Sequence, residues 1–138
     1  MSELFLDTSF AIALISPKDH IHQKAVAWSE RIEKTQIQTV TTQAVLLEIG
    51  NALSKKAFRQ IGIGLLETLE ADPNTTIIPF SDELYRKAFE LFRNRSDKEW
   101  GLIDCISFVV MRERGIEAAL TADEHFIQAG FRAVLREN

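Results

Sequence analysis

One cysteine in 138 residues rules out an internal disulfide, so the core alone must hold the chain together. That residue, Cys105, stands in an apolar helical segment. A small buried side chain is the expected reading there, and it fits a reducing cytosol. No apolar run approaches the roughly 18 residues of a membrane span. The apolar N-terminal stretch, residues 4–15, is broken by Asp7 and preceded by no Lys or Arg, so the basic region of a signal peptide is missing. A soluble, cytoplasmic protein is expected. Histidine is scarce as well. His20 and His22 would face different ways on a helix, and His125 has no partner at ligand spacing, so a Cys/His zinc site lacks its ligands. Gly62-Ile63-Gly64 has no Lys-Ser/Thr sequel, which excludes a phosphate-binding loop of that type. No serine sits in a nucleophile elbow. Neither linker, repeat nor low-complexity stretch divides the chain, and a single domain over residues 1–138 is expected.

What remains is an ordinary globular composition, with hydrophobic residues at 46% and charged residues at 26%, containing four carboxylates in unusual places. Asp7 ends the run Leu4-Phe5-Leu6. Glu48 lies within Ala44-Val45-Leu46-Leu47-Glu48-Ile49, and Asp104 within Leu102-Ile103-Asp104-Cys105-Ile106. Asp123 follows Ala118-Ala119-Leu120-Thr121 by one residue. Ionised carboxylates enter apolar surroundings only with a cation or a dense set of hydrogen bonds. Four along one chain point to an acidic pocket for a divalent metal. The formal net charge of −4 at first argues against a nucleic-acid partner. It equals the charge of these four groups alone, so two bound divalent ions would cancel it.

Short apolar runs alternate with segments of helical period. Strands are expected at 3–6, 37–40, 75–78, 118–121 and 131–135. Helices are expected at 8–15, 20–33 with Asp19 as cap, from Thr41 or Thr42 to about 55, 59–70, 82–95 capped by Ser81, 102–114 and 123–129. The alternation implies an α/β fold, a parallel sheet of about five strands with helices on both faces. Ligands bind such sheets beyond the carboxyl ends of the strands, where Asp7 and Asp123 fall. Glu48 and Asp104, about two turns and one turn into their helices, can reach the same crevice.

Each acid also has a simpler reading. Asp7 and Asp123 could cap the helices that follow them. Glu48 and Asp104 resist such an account, because none of their helical neighbours carries a compensating charge. Asn51, one turn after Glu48, could orient it. Asp97, in the polar Ser96-Asp97-Lys98-Glu99, is a further candidate whose default is a solvated loop residue. Oxygen-only ligation selects Mg²⁺ or Mn²⁺, and an acidic pocket holding such ions matches metal-assisted phosphodiester hydrolysis.

The ordered segments Leu4-Phe5-Leu6-Asp7-Thr8-Ser9, Glu48-Ile49-Gly50-Asn51-Ala52-Leu53, residues 97–105 and Leu120-Thr121-Ala122-Asp123-Glu124-His125-Phe126 resemble the PIN-domain ribonucleases. The resemblance runs over essentially the whole chain. It implies that Asp7, Glu48, Asp104 and Asp123 are the metal-binding acids, supported by Thr8, Ser9 and Thr121. The compact bacterial members it is similar to are VapC toxins of type II toxin–antitoxin pairs, which cut RNA, are restrained by a small antitoxin and are commonly homodimers. Where family members often carry Ser or Thr, this chain has Gly101, leaving Ser107 as the expected support for Asp104. The basic stretch Arg86, Lys87, Arg93, Arg95 and Lys98 is either a solvated helix face or a rim for the RNA backbone. Other readings remain: a PIN-like module that binds RNA or protein without turnover, another metal-dependent phosphodiesterase or DNA nuclease, or a phosphoryl-transfer enzyme with Asp7 as nucleophile and Lys98 as its only nearby cation.

Overall fold

A computed structural model describes residues 3–138. In these residues five strands form one sheet: β1 (Glu3–Leu6), β2 (Gln38–Thr42), β3 (Thr75–Ile78), β4 (Ala118–Leu120) and β5 (Arg132–Ala133). Their order is β3-β2-β1-β4-β5, and every pair is parallel. The helices are α1 (Thr8–Ile15), α2 (His22–Thr35), α3 (Gln43–Ala52), α4 (Arg59–Ala71), α5 (Asp82–Asn94), α6 (Leu102–Arg114) and α7 (Glu124–Gln128), followed by a 3₁₀ turn at Val134–Arg136. The expected α/β architecture is borne out.

Strand order dictates where a site can form. From β1 the chain moves outward through β2 to β3, then crosses back over the sheet to β4 on the other side of β1. Parallel crossovers are right-handed almost without exception, so the two directions put α1–α4 on one face and α5–α7 on the other. The crevice between β1 and β4 is the switch point of the sheet. Asp7 follows β1 and Asp123 comes shortly after β4, one on each side of it.

The core explains why these strands stay put. Leu4, Phe5, Leu6, Val40 and Ala118 to Leu120 are buried on both faces, the continuous apolar pattern of a covered parallel strand. Phe126 of α7 lies 6.3 Å from Phe5 and meets Phe108 of α6 edge-on at 5.0 Å, ring centroid to centroid. Trp100 meets the same Phe108 edge-on at 5.0 Å, and its indole N–H donates to Gln128 Oε1 at 3.0 Å. These rings lock the start of α6 against α7, the two segments that carry Asp104 and Asp123.

Several boundaries differ from expectation for local reasons. The Asp19 side chain accepts from the Ile21 N–H and closes a turn, so α2 begins at His22 rather than His20. Strand β2 runs on to Thr42, whose hydroxyl then caps α3 by accepting from the Val45 N–H at 3.1 Å. Helix α3 stops at Ala52 rather than near Lys55. The fifth strand is only two residues long, because the Leu135 N–H turns back to the Thr121 carbonyl instead of continuing the ladder. Asp123 serves as the N-cap of α7 and is not its first residue.

Candidate metal centre at the switch point of the sheet

Asp7 is the most buried acid of the four, with 7% of its surface exposed. Its Oδ2 accepts from the hydroxyls of Thr121 at 2.8 Å and Ser9 at 3.1 Å, and those two hydroxyls lie 3.1 Å apart. Burial raises its pKa to about 6 despite these donors. The neighbouring charge of Glu48 pushes in the same direction. Beside it, the Thr8 hydroxyl donates to Glu48 Oε1. Glu48 thus finds its partner on α1 rather than on its own helix, which inspection of helical neighbours could not reveal. Asn51, expected to orient Glu48, is exposed and makes no hydrogen bond to it.

The second pair of acids lies across the crevice. Asp123 accepts from the His125 N–H at 2.9 Å, and its own N–H donates to Thr121 Oγ1 at 3.0 Å. Thr121 therefore touches both sides of the crevice: it donates to Asp7 and receives from the Asp123 backbone. Asp104 is the third residue of α6, where its Oδ2 accepts from the Gly101 N–H at 3.1 Å. That is a capping contact, and it gives Asp104 the local reason for its position that helix propensity alone did not supply. Gly101 hence supports Asp104 through its backbone. Ser107 does not support it, because its hydroxyl donates to the Ile103 carbonyl at 3.2 Å. The pKa of Asp104 is raised, chiefly by burial, with the charge of Asp123 adding to the shift.

His125 is the residue that spacing in the sequence dismissed. Its Nδ1 lies 3.1 Å from Asp104 Oδ2 and 3.5 Å from Asp123 Oδ1, and the three side chains offer ligand atoms within 4.8 Å of one another. The partners are 21 and two residues away in sequence, so only the docking of α6 on α7 unites them. Among the described residues, no Lys or Arg comes within ion-pair distance of Asp7, Glu48, Asp104 or Asp123. Carboxylates crowded together without a protein cation are a donor set that fits a divalent metal. Asp104 Oδ1 and Asp123 Oδ2 accept no hydrogen bond from the described residues, which leaves them open to a ligand.

The remaining candidates lie outside this cluster. Asp97 is exposed and held by Arg95 at 3.0 and 3.1 Å, which lowers its pKa. Lys87 is spent on Glu83 and Glu113, and Arg93 on Glu90. Arg86 is exposed. Lys98 alone among the basic residues shares a cleft with the metal-site candidate His125, alongside Asp97, Glu99, Glu124 and Gln128. Most of the basic stretch is therefore an ion-paired helix face. Cys105 is buried, and burial pushes its thiol up to about 11, so it is a core residue and not a nucleophile.

Comparison with known proteins places this geometry in context. The PIN domain family matches residues 4–132. The 23S rRNA-specific endonuclease VapC20 of Mycobacterium tuberculosis, from strains CDC 1551 and H37Rv alike, is 27% identical over 135 residues, covering 97% of this chain and 99% of the relative. The crystal structure of M. tuberculosis VapC20, described as a Sarcin-Ricin loop cleaving toxin, superposes with a TM-score of 0.81 at 25% identity, covering 94% of this chain and 97% of that one.

Proposed function

The chain belongs to the PIN-domain family, and from that premise we propose that it is a metal-dependent endoribonuclease, the toxin of a toxin–antitoxin pair. One observation supports the reading: two acid pairs, Asp7 with Glu48 and Asp104 with Asp123, flank the switch point and are connected through Thr121. Among the described residues, only Asp104 and Asp123, with His125, offer ligand atoms close enough to share one ion. Thr121 and Ser9 hold Asp7, Thr121 meets the backbone of Asp123, and His125 spans Asp123 and Asp104. Glu48 adjoins the set through Thr8, the residue after Asp7. The similarity to VapC20 over nearly the full length of both chains supports RNA as the substrate.

Asp7, Glu48, Asp104 and Asp123 would hold Mg²⁺ or Mn²⁺. Bound there, the ion supplies Lewis acidity to the phosphate and lowers the pKa of the attacking water. The residues of the chain contribute rigidity and charge. Thr121 and Ser9 fix the Asp7 carboxylate in one orientation, and the cap at Gly101 fixes Asp104. Thr8 and Ser9 each donate to a carboxylate and so are positioned as supports, not as attacking groups. No protein nucleophile takes part, and the phosphoryl-transfer alternative finds no cation at Asp7 among the described residues, where Lys98 lies by Asp97 instead.

A small antitoxin and a homodimer are part of the proposal. Exposed apolar side chains support them: Leu47, Phe58 and Ile61 along α3 and α4, and Tyr85, Phe89 and Phe92 on α5. No helix among the described residues is long and apolar enough to cross a membrane. Action on RNA in the cytoplasm completes the reading. The purified protein should cleave RNA only with Mg²⁺ or Mn²⁺ present, and its induction should arrest growth, with rescue by Asp7→Asn. Full cleavage by both Asp7→Asn and Asp104→Asn would overturn the site.

A further inference from the structure

We propose that His125 is itself a metal ligand, and that its imidazole turns the Asp104–Asp123 half of the site from Mg²⁺ toward a first-row transition ion. The inference rests on the metal-dependent reading above and deepens it. The observation behind it is the position of Nδ1, 3.1 Å from Asp104 Oδ2 and 3.5 Å from Asp123 Oδ1, within a group whose ligand atoms all fall inside 4.8 Å. Atoms at such separations can share one ion with bonds of ordinary length, about 2.0–2.2 Å.

The ring is held for that purpose from two sides. The backbone N–H of His125 anchors Asp123 Oδ1 at 2.9 Å, which ties the imidazole and one carboxylate to the same first turn of α7. Phe126, the next residue, is fully buried between Phe5 and Phe108 and fixes that turn against α6. The ring is partly exposed and shares its open cleft with Lys98 and Gln128, so an ion can reach it from solvent. His20, by contrast, has a side chain 90% exposed and beside Asp19, and His22 Nδ1 is committed to the Ala13 carbonyl at 2.7 Å. Neither of the other two histidines shares this setting.

The consequence is a mixed donor set of two carboxylates and one nitrogen in place of the oxygen-only set read from the sequence. Mg²⁺ is a hard ion that keeps its waters and favours oxygen, whereas first-row transition ions accept imidazole readily. Mn²⁺ stands lowest in their affinity order, which makes it the stringent probe, and its unpaired electrons report directly on a nitrogen in its coordination shell.

The test loads the intact protein with Mn²⁺ and records pulsed electron paramagnetic resonance, with calorimetric titration of Mn²⁺ and Mg²⁺ in parallel. Wild-type protein should show nitrogen coupling at the bound Mn²⁺. His125→Gln and His125→Asn, checked by circular dichroism for an unchanged fold, should lose that coupling. They should bind Mn²⁺ more weakly by at least the roughly tenfold that loss of a merely orienting group costs, while Mg²⁺ affinity changes by less than about threefold. Mn²⁺ bound without nitrogen coupling would overturn the inference, as would a coupling that survives in both variants. Equal losses for the two ions would also overturn it, because they describe a histidine that only orients Asp104. No binding of either ion to wild-type protein would instead sink the metal-dependent reading itself.

Discussion

The two sides of the crevice hold their acids by opposite means. On the β1 side Asp7 is buried, surrounded by hydroxyls and short of charge compensation. On the β4 side Asp104 and Asp123 are partly exposed, and an imidazole lies between them. The first arrangement keeps one carboxylate in a fixed place at a cost in stability. The second leaves Asp123 more open to solvent and Asp104 partly buried, at a smaller cost. A site that must remain rigid and still admit a charged ligand is served by combining the two.

The sharpest way to break this contrast is to neutralise one acid on each side. Asp7→Asn and Asp104→Asn should each reduce RNA cleavage by more than about a hundredfold in a gel assay with metal present. Both carboxyls have raised pKa values, so each change relieves a cost in the metal-free fold at pH 7, and Asp7→Asn should stabilise it the more. Asp7 titrates near pH 6 in the folded chain, above the ordinary carboxylate value of 3.8, so the folded state binds the extra proton between those values. Stability from this group is therefore greatest below about pH 4 and falls as pH rises through 6. The loss is on the order of 3 kcal/mol by pH 7. Urea unfolding across pH 4–7 should show the Asp7→Asn variant gaining on wild type as pH rises, with the difference vanishing near pH 4. Equal pH profiles would dissolve the distinction between a dry and a wet side.

Thr121→Val removes the 2.8 Å donor to Asp7 and the acceptor for the Asp123 N–H without changing side-chain size. It should cost about 1–3 kcal/mol in urea unfolding, since it strands polar groups in a buried place. Asn51→Ala, on an exposed position that touches none of the acids, should stay within about 0.5 kcal/mol and leave cleavage intact. Smallest of all is the effect on the rim. Lys98→Ala should weaken RNA binding slightly and reduce its salt slope by about one. Lys87→Ala should alter neither, because that charge is already shared between Glu83 and Glu113. Filter binding at several salt concentrations separates them.

The same contrast explains what could be read from the sequence. The strands, the helices and the switch-point location followed from apolar runs, caps and alternation, which are local properties of the chain. Asp7 and Asp123 were visible because strand ends are visible. The partners of the acids were not. Thr8 reaches Glu48 across 40 residues and His125 reaches Asp104 across 21, so only tertiary docking creates these pairs. His125 was set aside for want of a partner at ligand spacing, although ligands gathered at a sheet edge need no regular spacing at all. Gly101 misled in the other direction: the missing hydroxyl directed attention to Ser107, while the backbone N–H of the glycine filled the role. The fifth strand was overestimated because its apolar residues are buried by a 3₁₀ turn as well as by a ladder.

The central position of β1 has one more consequence, for the order in which the site comes apart. This strand is flanked by β2 and β4, and the Asp7 N–H bonds to the Leu120 carbonyl across the crevice. Amide hydrogens there should exchange with solvent deuterium only through unfolding of the whole molecule, whereas those of the five-residue α7 should exchange through local opening. The metal site would then have a permanent side and a side that breathes, and any ion would enter and leave through the second.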